Sequence, residues 1–295
     1  MQRNNTSSDR RFVQILGINV ISTSIPKLLV TTRDNISHNT KFFIVTPNPE
    51  LILASTKNIT LREALNSADF SVPDGIGLSQ AARYLTLRSP ANIFIRIFVV
   101  FFQGLVVGAA TFFNNDWLTQ DLKPIKGRVL FTKLIELANK KGWKVFFLGG
   151  EGSEATLAAE KLRINYKKVR IRTFAGPILN EKAIPVTEVN RKLEKDAVDL
   201  INKFRPDLLF VAMKNPKQEI WIHKNLSKLN VGGAMAVGGT FRYIAGLSKL
   251  PPRWMDKAGL EWVWRLLTEP KRFRRIFNAF PIFPLRVFWF KIVGR

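Results

Sequence analysis

Short apolar, β-branched runs recur along the chain at 12–18, 42–46, 70–72, 143–148, 169–174, 208–212 and 234–237, each closed by a polar or glycine-containing segment. Runs of this length and composition predict buried strands. Between them the apolar positions switch to helical spacing over 49–56, 61–67, 77–85, 132–141, 153–166, 188–204 and 216–229. Strands alternating with helices predict an α/β fold, a Rossmann-like and mostly parallel sheet with helices on both faces. In such a sheet, ligand groups collect beyond the carboxyl ends of the strands. Thr46, Asp74, Gly149 and the 213–218 loop all fall there, so two polar clusters distant in sequence, TPNPE at 46–50 and PDGIG at 73–77, are expected to form one crevice.

Two segments break the alternation. Residues 93–113 form a 21-residue apolar stretch interrupted only by Arg96 and Gln103, close to the roughly 20 residues that span a bilayer. A single crossing would place Asp74 and Gln218 on opposite sides of the membrane. Cations flank the stretch on both sides (Arg83 and Arg88 before it, Lys123, Lys126 and Arg128 after), as for a segment that enters and leaves by one face. The expectation is a re-entrant or interfacial hairpin bent at Gly104 and Gly108, with a buried core helix as the plain alternative. From Lys249 onward eleven Lys and Arg stand against three acids, mixed with tryptophan and phenylalanine. The organisation read from this is a disordered tail at 1–10, a Rossmann-like domain at 11–247 with an apolar insert at about 92–115, and a basic, aromatic-rich, helical appendage at 248–295, with a helix from about 252 to 267.

Composition narrows the partners. The formal charge of +24 favours anionic ones: nucleic acid, nucleotide sugars or an acidic membrane surface. No cysteine is present, which removes thiolate chemistry and cysteine-held zinc. The polar N-terminus lacks the apolar stretch of a secretory signal. Tryptophan and phenylalanine beside Lys and Arg suit an interfacial element at anionic lipid. No nucleic-acid module accompanies them, so no nucleic-acid partner is expected.

Several motifs carry candidate chemistry, and each has an ordinary reading beside it. GGEGSEATLAAEKL at 149–162 follows a strand and opens a helix; as a dinucleotide fingerprint it is degenerate, and a tight turn with Ser153 as cap explains it equally. Asp74 lies in a Pro-Asp-Gly sequence, a common turn. Held in a crevice, its carboxylate is a candidate general base if burial lifts its pKa. Gln218, in the first turn of the helix begun by NPKQE, offers an amide to a sugar or uracil, whereas its neighbour Glu219 reads as a helix-dipole residue. Thr240 in VGGTFRYIAG reads as a helix cap.

Taken together, TPNPE (46–50), ADFSVPDGIG (68–77), VFFLGGEGSEATLAAEKL (145–162), RPDLLFVAMKNPKQEIWI (205–222), VGGTFRYIAG (237–246) and the basic stretch at 251–275 resemble the WecG/TagA/CpsF glycosyltransferases. The resemblance implies a UDP-sugar donor, an N-acetylmannosamine-type sugar, and an undecaprenyl-diphosphate-linked acetamido sugar as acceptor. It implies inversion with no cofactor and no obligatory metal, at the cytoplasmic face of the membrane by peripheral or re-entrant association. By position it makes Asp74 the catalytic base. Thr46, Asn48 and Gln218 become substrate-binding residues, and Arg265, Arg272 and Arg275 the cations that meet the diphosphate. The chain departs from the family pattern at Phe131, where a glycine is usual, and at Lys133 and Arg242, where bases in place of acids favour an acidic sugar. Two other readings stand beside this one: an NAD(P)-binding oxidoreductase, resting on the glycine loop, and a non-catalytic membrane-binding relative. Oligomerisation is left open.

Overall fold

The computed structural model describes residues 12–252, 255, 261–268, 270 and 273–293. Its centre is a six-stranded parallel sheet in the order β4-β3-β8-β7-β5-β6. The strands are β3 (Phe42–Val45), β4 (Phe70–Ser71), β5 (Lys144–Gly149), β6 (Arg170–Phe174), β7 (Leu208–Ala212) and β8 (Gly233–Ala236). Successive side chains on a strand point to opposite faces, and the core divides accordingly. Phe43, Val45, Phe146, Leu148, Leu209 and Val211 face one helical layer; Phe42, Ile44, Val145, Phe147, Leu208 and Phe210 face the other. The first layer holds α2 (Pro49–Ser55), α3 (Ile59–Ser67), α4 (Ile76–Thr86), α9 (Glu188–Phe204) and α10 (Lys217–Asn225). The second holds α1 (Ile25–Ser37), α7 (Gly127–Lys141), α8 (Glu154–Asn165) and α11 (Thr240–Ile244). The strands are short, and every residue of β3, β7 and β8 is buried, which is why they read as unbroken apolar runs.

The expected strand at 12–18 is instead an antiparallel hairpin, β1 (Phe12–Ile15) with β2 (Ile18–Ile21). Its two-residue turn places Leu16 at φ 49° and Gly17 at φ 85°. A leucine rarely takes a positive φ, so the turn is not legible locally. It persists because Ile15, Ile18 and Val20 are fully buried and Asn66 grips both Asn19 N and Gly17 O. Helix α1 also escaped the pattern, since of its thirteen residues only Leu28 and Thr32 are buried.

The 93–113 segment corrects the hairpin expectation. It is one continuous helix, α5 (Ile93–Phe113), running through Gly104 and Gly108 without a break. A narrow stripe of Val100, Val107 and Ala110 is buried, against α4 and α14 (Phe283–Val293). Tyr84 Oη donates to Val100 O at 2.9 Å, Arg96 donates to Ile292 O at 3.0 Å, and Lys291 Nζ bridges Tyr84 O and Gln103 Oε1. Only 11% of its apolar window is buried, so it is no core helix either. A second long apolar stretch, Arg275–Val293, also has membrane-spanning length, but extended backbone at Phe280 divides it. Short α6 (Asn115–Leu118) leads back from α5 towards α7. Of the expected 252–267 helix, the described residues are Pro252, which is not helical, Met255, and 261–267 within α12 (Glu261–Thr268); α13 (Phe273–Phe277) follows.

Candidate functional site

Asp74 follows β4, and the fold places it by backbone bonds on both sides. Its N–H donates to Pro47 O at 2.8 Å, pinning the PDG turn to the loop after β3. Ile125 N donates to Pro73 O at 2.8 Å, so α7 begins directly over the turn. Gly127, the first residue of α7, then donates its N–H to Asp74 Oδ1 at 3.4 Å. Gly75 turns the chain into α4 at φ 90° with open space around it, a conformation that favours glycine. Thr46 closes the near side: a Cβ on Gly127 would lie 3.0 Å from Thr46 Oγ1. Asp74, Thr46 and the positive end of α7 therefore meet at one point.

The charge around Asp74 comes from the start of α7 and from the C-terminal appendage. Glu261 of α12 accepts from Arg128 at 2.8 Å and from Arg265 at 2.6 Å, with Lys126 at 3.9 Å. Both guanidiniums lie 5.9 Å from the Tyr243 ring centre. Burial opposes the charge on Glu261, but the two arginines outweigh it and hold its carboxyl below the ordinary value. Burial likewise disfavours charge on Arg265, and Glu261 more than restores it. Among the described residues, Lys126, Arg128 and Arg265 thus gather round Glu261 beside Asp74. Half-buried Asp74 is pushed up to about 6, chiefly by burial and then by Glu261, while Arg265, the Gly127 N–H and Arg128 pull the other way. Such a carboxyl is ionised at neutral pH and remains a competent proton acceptor.

The far wall is built from the ends of β7 and β8. The register pairs Ile44 with Met235, so two residues on, Thr46 stands beside Val237 and the Gly238 turn. Gly238 N donates to Gln218 Oε1 at 3.1 Å, and Gln218 Nε2 donates to Asn215 Oδ1 at 2.7 Å and Glu219 Oε1 at 2.8 Å. Gln218 is buried, its amide committed to joining the two loops. Glu219, 2% exposed, has a second oxygen with no hydrogen-bond partner among the described residues. Burial pushes its carboxyl up to about 7, against the Gln218 hydrogen bond and the charge of Arg275. Arg275 donates to Glu50 Oε1 at 2.6 Å.

The fold thus gathers Thr46, Asp74 and Arg265 and sets Gln218 and Arg275 along the same strand ends. Asn48 caps α2, its Oδ1 accepting from Leu51 N at 2.9 Å; Arg272 lies outside the described residues. Sequence reasoning read Arg128 only as a flanking cation and Glu219 only as a helix-dipole residue, and gave Glu261 no role. For Glu219 the signal was available: a carboxylate beside an amide in the first turn of a helix whose next residues, IWI, are wholly apolar.

The glycine loop folds in on itself. Gly150 N donates to Ala212 O at 2.7 Å, and Glu151 N donates to Glu154 Oε2 at 3.0 Å. Ser153 makes no capping bond. The Glu154 carboxylate therefore takes up a loop N–H of the kind a dinucleotide phosphate would need. Of the departures, Phe131 is a fully buried core ring 4.7 Å from Phe210, and Lys133 pairs with Glu136 at 2.8 Å on the outer side of α7. Arg242 lies 3.8 Å from Glu154 and 3.9 Å from Glu151. Both added bases are thus matched by acids of the chain itself.

Comparison with known proteins adds an independent line. The model of the family described as "Glycosyl transferase WecG/TagA/CpsF family" matches residues 13–100 and 98–295, two stretches that meet inside α5. Relatives include proteins named N-acetylglucosaminyldiphosphoundecaprenol N-acetyl-beta-D-mannosaminyltransferase. That of Bacillus spizizenii is 27% identical over 82% of this chain and 77% of its own. The Bacillus subtilis protein is 25% identical over 80% and 75%, and the Staphylococcus aureus protein 26% identical over 97% and 94%.

Proposed function

The chain belongs to the WecG/TagA/CpsF family of glycosyl transferases, and from that premise we propose that it moves an N-acetylmannosamine-type sugar from a UDP-sugar to a lipid-diphosphate-linked acetamido sugar, with inversion, in the making of a cell-surface polymer. The observation that carries the reading is Asp74, a carboxyl of pKa about 6 set between the α7 N-terminus and the Arg128–Glu261–Arg265 cluster.

The reaction is a single displacement. An acceptor hydroxyl oxygen bonds to the anomeric carbon as the bond from that carbon to the UDP oxygen breaks. The hydroxyl proton passes to an Asp74 oxygen, and UDP leaves with the electron pair. One displacement inverts the centre. Thr46 borders the reacting atoms, Asn48 and Gln218 hold the two loops that frame them, and the cations develop their value as charge builds on the diphosphate. Guanidiniums suit that task through paired hydrogen bonds to phosphate oxygens; Arg265 and Arg275 fill it, with Arg128 as a third. Arg272 is assigned to the same group by its sequence position alone. No resident metal or cofactor is part of this reading.

The enzyme works at a membrane surface. The exposed apolar faces of α5 and α14, including Phe94, Phe98, Leu105, Phe113 and Trp289, lie in the interface on the side where the lipid acceptor resides, taken to be the cytoplasmic face. A helix with both ends on the protein and one apolar face outward is an interfacial element.

The direct test supplies UDP-N-acetylmannosamine, its uronic acid and other UDP-hexoses with a synthetic lipid-diphosphate N-acetylglucosamine, following UDP release and product configuration. UDP release that needs both substrates, with an inverted product, is expected. Release that is unchanged in Asp74→Asn would remove the mechanism.

A further inference from the structure

Between the end of α4, α6 and the outer side of α5 lies a cleft of about 440 Å³ lined by Leu87, Phe98, Val99, Phe102, Val106 and Trp117. Its one polar lining residue, Gln103, is already engaged: Nε2 donates to Arg88 O at 2.7 Å and Oε1 accepts from Lys291 at 2.7 Å. The cleft thus presents hydrocarbon and aromatic edges, in a volume within the about 300–1,000 Å³ range of small-molecule sites.

We propose that this cleft binds the first isoprene units of a prenyl diphosphate, drawing the acceptor's carrier chain along the protein beside the catalytic crevice. The proposal rests on the acceptor reading above. Three observations select this occupant. The cleft lies at the far end of α4, the helix that begins just after Asp74, and the helical rise over its eleven residues gives about 16 Å. A pyranose ring with two phosphates and the first prenyl carbons spans a comparable length. At the mouth stands Arg83, its guanidinium 4.5 Å from the Trp117 ring centre and 3.2 Å from Asp121, with Nε buried and unpartnered among the described residues. A cation between crevice and cleft suits a ligand whose charge joins its sugar to its hydrocarbon. Finally, the cleft is fixed from behind by the Lys291–Gln103 bond and walled on a second side by Leu87 and Trp117, whereas Phe94 and Phe113 stand outside it on the same helix.

The test compares diphosphate-linked N-acetylglucosamine acceptors bearing a methyl, farnesyl or undecaprenyl group in one detergent. For the unaltered protein, kcat/KM is expected to rise about tenfold or more from methyl to farnesyl, as burial of several carbons provides. Val106→Trp and Phe102→Trp add bulk at exposed positions of the cleft and keep the helix face apolar, so the fold and the membrane face are retained. They should abolish that advantage while leaving the methyl acceptor's rate and flotation with phosphatidylglycerol vesicles unchanged. An advantage that survives the variants, a loss equal for both acceptors, or lost flotation with the advantage intact overturns the proposal. A binding arm is independent of sugar transfer. Benzophenone-tagged farnesyl diphosphate should label the peptides carrying Phe98, Phe102 or Trp117, with farnesyl diphosphate competing and excess phosphatidylglycerol not. Label elsewhere, or displaced by the phospholipid, sinks the cleft whatever the transfer assay shows. Label in the cleft with no transfer from any UDP-sugar sinks the transferase reading and leaves the cleft standing.

Discussion

Arg275 donates through Nε to Oε1 of Glu50 at 2.6 Å, tying the C-terminal appendage to the first turn of α2 across 225 positions of sequence. The side chains are 40% and 24% exposed, so the pair contributes about 0–1 kcal/mol of stability. Its consequence is placement of a guanidinium beside buried Glu219. Arg275→Ala should leave the melting temperature nearly unchanged and lower kcat/KM for the diphosphate acceptor about 10–100-fold, the worth of a charged hydrogen bond. Thermal melts and initial rates measure the two effects separately.

Asp74→Asn should cut kcat about 10²–10⁴-fold. Activity of the unaltered enzyme should climb as pH rises through about 6, where Asp74 loses its proton, and level off above. The variant should lack that limb. Because the folded-state pKa lies above the ordinary carboxyl value, ionising Asp74 weakens the fold, and the variant should melt no lower than the parent at pH 8. A variant that keeps both rate and limb would assign the titration to another group.

Glu219 behaves similarly without touching the reacting atoms. Its folded pKa of about 7 lies above the ordinary 4.5, so the folded state binds the extra proton between those values. Stability is then greatest below about 4.5 and declines as pH rises through 7, by about 3 kcal/mol in all. Glu219→Gln should flatten that decline in urea melts recorded from pH 5 to 8. An unchanged slope would mean that the carboxyl is solvated in solution.

Two of the departures from the family pattern should separate cleanly. Phe131 packs among Phe147, Phe210 and Phe241, and Phe131→Ala should cost about 3–5 kcal/mol. Lys133→Ala removes an exposed i,i+3 pair and should change stability by under about 0.5 kcal/mol and the donor preference not at all. A donor switch in Lys133→Ala would place its ammonium in the crevice in solution.

What the sequence determined by itself was the alternation of strand and helix, the parallel sheet, and the collection of Thr46, Asp74 and the Gln218 loop at the strand ends. Those follow from periodicities of two and 3.6 residues, which are local and survive in a linear reading. The family blocks at 46–50, 68–77 and 205–222 were legible for the same reason, each being one strand end with its turn. Only the tertiary structure decided the rest. Leu16 accepts a positive φ because three neighbours are sealed in the core. Residues 93–113 stay straight because α4 and α14 support one stripe of the helix, through bonds to residues up to 196 positions away. Glu219 is driven towards neutrality, and Arg128 and Arg265 converge on Glu261, because sheet order and the returning C-terminal helices set which charges are buried together. Burial and pairing at that range depend on where the whole chain passes, and no local spacing carries that information.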